Sequence, residues 1–111
     1  PYRLPKRFEA RKHQLTIQTP YNLVSTNDIT GGNSGSPLIN RTGEIVGIVF
    51  DGNIHQLVNS FQYNDAKARA ISVDSRGILE TLHKVYRAHR LVDELKQTGR
   101  QQNYGLSLKQ L

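Results

Sequence analysis

Apolar and polar positions divide this chain into a polar lead, a strand-rich middle and a helical end. Residues 1–14 are polar and basic, broken by Pro1 and Pro5, with room for one short helical turn around Arg7–Lys12. The stretch "LTIQ" then alternates, and after Pro20 "YNLVST" gathers the β-branched and aromatic residues of a strand. Residues 27–37 are turn chemistry: Asn, Asp, three Gly and a closing Pro. "PLIN" is a short strand, "RTGE" (41–44) a tight turn and "IVGIVF" (45–50) a buried strand, so the three form a hairpin. Residues 51–69 read as a long irregular connection, and "RAISV" (69–73) as one more strand. Asp74 or Ser75 caps a helix whose apolar positions Ile78, Leu79, Leu82, Val85, Tyr86, Val92 and Leu95 recur at helical spacing. The register loosens at Ala88–His89, so a break is expected there; Gly99 ends the helix, and a tail follows.

This order predicts a mainly β chain with a C-terminal helix. Its segments are a basic lead (1–18), a strand segment with the glycine-rich turn (19–74), a helical segment (75–97) and a tail (98–111). Three or four strands and one helix cannot close a barrel, and the apolar hairpin needs a sheet to complete it. The chain starts with proline and contains no methionine, so a processed product or part of a longer protein is expected.

Composition narrows the classes. A hydrophobic share of 36% and a charged share of 22% suit a globular domain, and 111 residues suit one of modest core. No apolar run approaches the roughly 20 residues of a membrane span. The absence of cysteine excludes disulfides, a thiol nucleophile and a Cys-ligated zinc site. Fifteen Lys and Arg against nine Asp and Glu give a formal charge of +6, crowded at Arg3, Lys6, Arg7, Arg11 and Lys12 and again at Lys84, Arg87 and Arg90. No zinc-finger, RNP-type or phosphate-loop pattern accompanies that excess, so a solvated basic face is expected rather than a nucleic-acid partner. No cofactor is expected.

The candidate chemistry lies in "GGNSGSP" (31–37). A catalytic serine needs an exposed hydroxyl, a base within reach and N–H donors aimed at the developing oxyanion. A Gly-x-Ser-Gly turn supplies the first and third: Gly32 lets the backbone approach a substrate, and the amides of Gly32 and Ser34 can converge on one point. The strand that follows, at Ile48–Phe50, can pair with a substrate backbone by strand addition. The alternative is a plain glycine loop with a surface serine.

"GGNSGSP" followed by a hairpin resembles the nucleophile segment of chymotrypsin-like serine peptidases. Over about residues 19–96, "TPYNLVSTNDITGGNSGSPLIN", "GEIVGIVFDGNIH" and "RAISVDSRGILETLHKVYRAHRLVDEL" resemble the C-terminal part of the bacterial dipeptidyl-peptidase 7 and 11 family. The resemblance implies a segment of the C-terminal barrel of a double β-barrel, completed by an N-terminal barrel and an inserted helical domain of the same protein. It implies release of dipeptides from peptides with a free N-terminus, in the periplasm or at the cell surface, and leaves a homodimer open.

On this resemblance Ser34 is the nucleophile and the triad runs His, Asp, Ser, with the first two upstream. Only His13 precedes Ser34, in the polar lead; His55 can line a subsite, and His83 and His89 lie on the helix. The base is therefore expected outside this chain, which alone is expected to be inactive. Asp28 stands six residues before Ser34, where trypsin-like enzymes bind basic side chains, but a role in capping the turn by accepting its N–H bonds is favoured. The resemblance implies that Asp51 binds the substrate's amino group, the alternative being a turn aspartate before Gly52, with Phe50, Gly52 and Asn53 beside it in substrate binding. It also implies that arginine after this aspartate goes with acidic side chains at the substrate's second residue. Gly52, with the apolar segment "GIVF" (47–50) as pocket wall, then favours hydrophobic ones. The competing readings are a glutamyl-endopeptidase-like protease and a protease-like domain that only binds peptides.

Overall fold

A computed structural model describes residues 3–97. The expected turn of the lead is a helix, α1 (Lys6–Arg11), continued by a tighter turn over Lys12–Gln14. Strand β1 covers Asn22–Ser25, so "LTIQ" lies outside it: Pro20, which cannot donate to a ladder, separates the two. Strands β2 (Pro37–Ile39) and β3 (Ile45–Gly52) form the expected hairpin, and β4 (Ala70–Asp74) completes an open antiparallel sheet of four strands in the order β1-β4-β3-β2.

Register gives the sheet two unlike faces. Leu23 stands opposite Ser72, Ser72 opposite Val49 and Asp74 opposite Gly47. On this face Val49, Ala70, Ser72 and Asp74 are buried. The other carries Val24 opposite Ile71 and Ile48 opposite Val73, and there Val24 is 65% exposed. Between Val49 and Asp51 the register against β4 slips by one, making Phe50 the bulged residue.

The connection 51–69 is not irregular throughout. β3 runs to Gly52, and Ile54–Ser60 forms a 3₁₀ helix. After β4, α2 (Ser75–Glu80) is capped by Asp74, whose carboxylate accepts from the Arg76 amide at 2.9 Å and takes a two-pronged bond from its guanidinium. That guanidinium holds the Asp74 carboxyl below its ordinary pKa. The helical segment breaks next to Ala88–His89, where its register loosens. A π turn over Thr81–Val85 follows α2, Arg87 takes a left-handed conformation (φ 55°), and the Ala88 amide returns to the Leu82 carbonyl before α3 (His89–Gln97) begins. The helix end expected at Gly99 and the tail lie outside the described residues.

Glu80 ties the lead to this helical end. Its Oε1 accepts from the Thr16 amide at 2.6 Å and from Lys84 Nζ at 2.7 Å, and Lys84 also reaches Thr16 Oγ1. The ammonium is the main cause that lowers the Glu80 carboxyl to about 2 from an ordinary 4.5. A carboxyl whose folded pKa is depressed stabilises the fold above its unfolded pKa and loses that contribution as pH falls towards the folded one. Unfolding of the intact protein should therefore become easier between about pH 4.5 and 2. Glu80→Gln should flatten that window and cost about 1.5–3 kcal/mol at neutral pH. Denaturant melts of the two proteins at pH 7 and pH 3 check it; equal pH slopes would dismiss the contribution.

Candidate active site

The serine turn is built by left-handed glycines and stapled to β3. Gly32 and Gly35 have φ of 99° and 90°, which residues with a Cβ rarely adopt. Asn33 organises the turn between them: its Oδ1 accepts from the Thr30 amide at 2.7 Å, and its own amide donates to the Thr30 carbonyl. Beyond the serine, the Gly35 amide donates to the Val49 carbonyl at 2.7 Å and the Val49 amide to the Ser36 carbonyl at 2.9 Å. The amides of Gly32 and Ser34 take part in none of these bonds, and both residues are exposed.

Ser34 Oγ donates to the Phe50 carbonyl at a long 3.5 Å. Among the described residues it makes no hydrogen bond to a histidine. His13 and His55 are exposed, and His83 and His89 meet edge to face on the helical end. Among the described residues no group of three His, Cys, Asp or Glu is gathered to hold a metal ion.

Beside the turn lies a cleft of about 280 Å³. One side is Ile29–Gly31, the other Asp51–Asn53, and the 3₁₀ helix adds Ile54, Gln56, Leu57 and Ser60. No residue of Gly47–Phe50 lines it, so the expected apolar wall comes instead from Ile29, Ile54 and Leu57. The cause is the pairing of β3. Ile48 lies between Pro37 and Val73, and Val49 is bonded to Gly35 and Ser36. Strand addition at Ile48–Val49 is closed off for the same reason. The edge facing the turn opens only from Phe50 onward.

Asp51 projects from that open end. Its Oδ1 accepts from the Gly52 amide at 2.8 Å, and among the described residues it has no ion-pair partner. It is an exposed carboxylate on the rim of a partly apolar cleft. Asn53 also lines the cleft, but both ends of its side chain brace the backbone before β4: Nδ2 donates to the Lys67 carbonyl and Oδ1 accepts from the Arg69 amide. Phe50 contributes its carbonyl to Ser34, and its side chain is 44% exposed.

Gly52 is tightly enclosed rather than open. A Cβ there would lie 3.0 Å from Cβ and Cγ of Gln56 and 3.3 Å from Ile29 Cδ1. Asp28 does not cap the turn through its amides. Its Oδ1 accepts from Gln56 Nε2 at 3.0 Å and Asn59 Nδ2 at 3.3 Å, because the 3₁₀ helix lies against residues 28–29 and Asn33 already serves the turn. Ile29, Ile54, Gln56 and Leu57 are among the cleft residues that sequence reasoning misses. The spacing of Ile54, Leu57 and Val58 at i, i+3 and i+4 is the one local signal for that helix.

The glycine turn thus holds an exposed serine beside a cleft rimmed by the Asp51 carboxylate. The chain is a member of the Peptidase S46 family, whose profile matches residues 1–97. It is 43% identical over 76 residues to dipeptidyl-peptidase 7 of Phocaeicola vulgatus, covering 68% of this chain and 10% of that protein. It is also 43% identical over 76 residues to the Asp/Glu-specific dipeptidyl-peptidase of Shewanella putrefaciens, with the same coverage of each chain. The crystal structure of Porphyromonas endodontalis DPP11 in complex with dipeptide Arg-Glu superposes with a TM-score of 0.72 at 29% identity, over 84% of this chain and 14% of that one. The chain thus spans about a tenth of the length of the curated relatives it matches. Among the described residues no helix is long and apolar enough to cross a membrane.

Proposed function

We propose that this chain is the nucleophile-bearing part of a serine-type dipeptidyl-peptidase, periplasmic or secreted, that releases N-terminal dipeptides with a hydrophobic second residue. Ser34 Oγ attacks the carbonyl carbon of the substrate's second residue, and the amides of Gly32 and Ser34 receive the developing oxyanion. The hydroxyl proton passes to a histidine oriented by an aspartate, both on an N-terminal barrel of the same protein, and from the histidine to the departing amine. Asp51 holds the free α-ammonium. The observation that supports this reading is the stapling of the serine turn to β3, the strand that carries Asp51 next to its last residue, which keeps the proposed nucleophile and amine acceptor beside one strand.

Identity does not choose the side chain accepted, since a relative named dipeptidyl-peptidase 7 and one named Asp/Glu-specific stand at 43% alike. The cleft favours apolar side chains. Ile29, Ile54 and Leu57 line it, Gly52 adds no cation, and the Asp51 carboxylate on its rim repels an acidic group. The same carboxylate argues against a glutamyl-endopeptidase. The test is a panel of dipeptidyl substrates, free and acetylated, on the intact protein. Free-amine substrates with Leu or Phe second should be cleaved at least tenfold better than those with Asp or Glu. Gly52→Arg should move the preference towards acidic residues once Gln56 yields space. Dominant cleavage after Asp or Glu by the unaltered protein would overturn the assignment. Failure of a fluorophosphonate to label the protein at all would leave the peptide-binding reading.

A further inference from the structure

Against Gln56, one of the cleft's lining residues, stands an exposed carboxylate that the proposed reaction does not use. Asp28 has no ion-pair partner among the described residues and is held by two neutral amides, Gln56 Nε2 and Asn59 Nδ2, both on Oδ1. It does not line the cleft, whereas Gln56 does. Gln56 is 7% exposed, its stem lies against Gly52, and its amide also donates to the Ile29 carbonyl. Its Oε1 is buried with no partner. A buried amide oxygen without a partner is unusual, so Gln56 is held by its packing and by its donor end.

We propose that Gln56 is a specificity-determining residue that shuts the cleft off from the Asp28 carboxylate and so makes it reject basic side chains. The inference rests on the cleft being the subsite for the substrate's second side chain. A neutral amide leaves the negative charge of Asp28 in place, so removing the partition presents that charge to the cleft. A Lys or Arg side chain then gains a charge-assisted partner, which roughly doubles the strength of an ordinary hydrogen bond. The Asn59 bond keeps the carboxylate anchored when Gln56 is shortened.

The experiment measures kcat/KM of the intact protein on dipeptidyl substrates with Leu, Glu or Lys second. Gln56→Ala should raise the Lys-to-Leu ratio at least tenfold, and adding Asp28→Asn to that variant should cancel the gain. Gln56→Leu, which keeps the volume, should go on rejecting Lys. If Gln56→Ala does not fold, Gln56→Ser carries the same expectation. An unchanged Lys-to-Leu ratio in the shortened variant, or a gain that survives Asp28→Asn, overturns the proposal. Gly52→Arg separates the two layers. If it redirects the profile while the shortened Gln56 variant does not, the partition is wrong and the subsite stands; if neither moves the profile, both fall.

Discussion

Ser34→Ala in the intact protein should lower kcat by on the order of 10⁶, the scale on which a serine nucleophile contributes when it works with its base as a unit. KM should stay within a few-fold, because the hydroxyl touches only the Phe50 carbonyl and holds no wall of the cleft. The turn itself should survive the substitution: its bonds run through the backbone of Gly35 and Ser36 and the side chain of Asn33, none of which belongs to Ser34. A fluorophosphonate should label the unaltered protein at Ser34 and leave the variant unlabelled. Label on another residue, or a rate within tenfold of the original, would move the nucleophile elsewhere.

Asp51→Ala should act on binding, and selectively. A charge-assisted contact between an ammonium and a carboxylate is worth about 1.5–3 kcal/mol, or roughly 10- to 150-fold in KM. Peptides with a free amine should lose that factor, while acetylated peptides, already poor substrates, should lose little. The lost Gly52 contact is one exposed local bond, which keeps any structural effect small. Equal losses on both kinds of peptide would remove amine recognition from Asp51.

The hairpin of β2 and β3 is legible because a β-branched run sits between turn residues, and its tight turn is fixed locally by Asn40, Thr42 and Glu44. The Asp74 cap is legible for the same reason, since its partner stands two residues away. The 3₁₀ helix at 54–60 escapes such reading. Asn53, in the N-cap position, spends its side chain on Lys67 and Arg69 rather than on the helix it precedes. The stop after the π turn is legible only as the loosened register at Ala88–His89; its agent is not, because Arg87 takes a conformation that normally advertises itself as glycine. Of the candidate site, Ser34 and its glycines can be read from seven adjacent residues. The cleft cannot, because Ile29–Gly31 and Asp51–Leu57 meet only through pairing and the packing of Gln56 on Gly52.

The two hydrogen bonds between Val49 and the segment Gly35–Ser36 lock the serine turn to β3, and Asp51 follows two residues along the same strand. In the proposed reaction that strand is a ruler. With the bulged Phe50 between them, the Val49 anchor and Asp51 stand two residues apart, the count of a dipeptide. The number of residues released would then be engraved in one strand. Side-chain preference is cut into the neighbouring loop and 3₁₀ helix, where it can drift through Gly52 or Gln56 without altering the count.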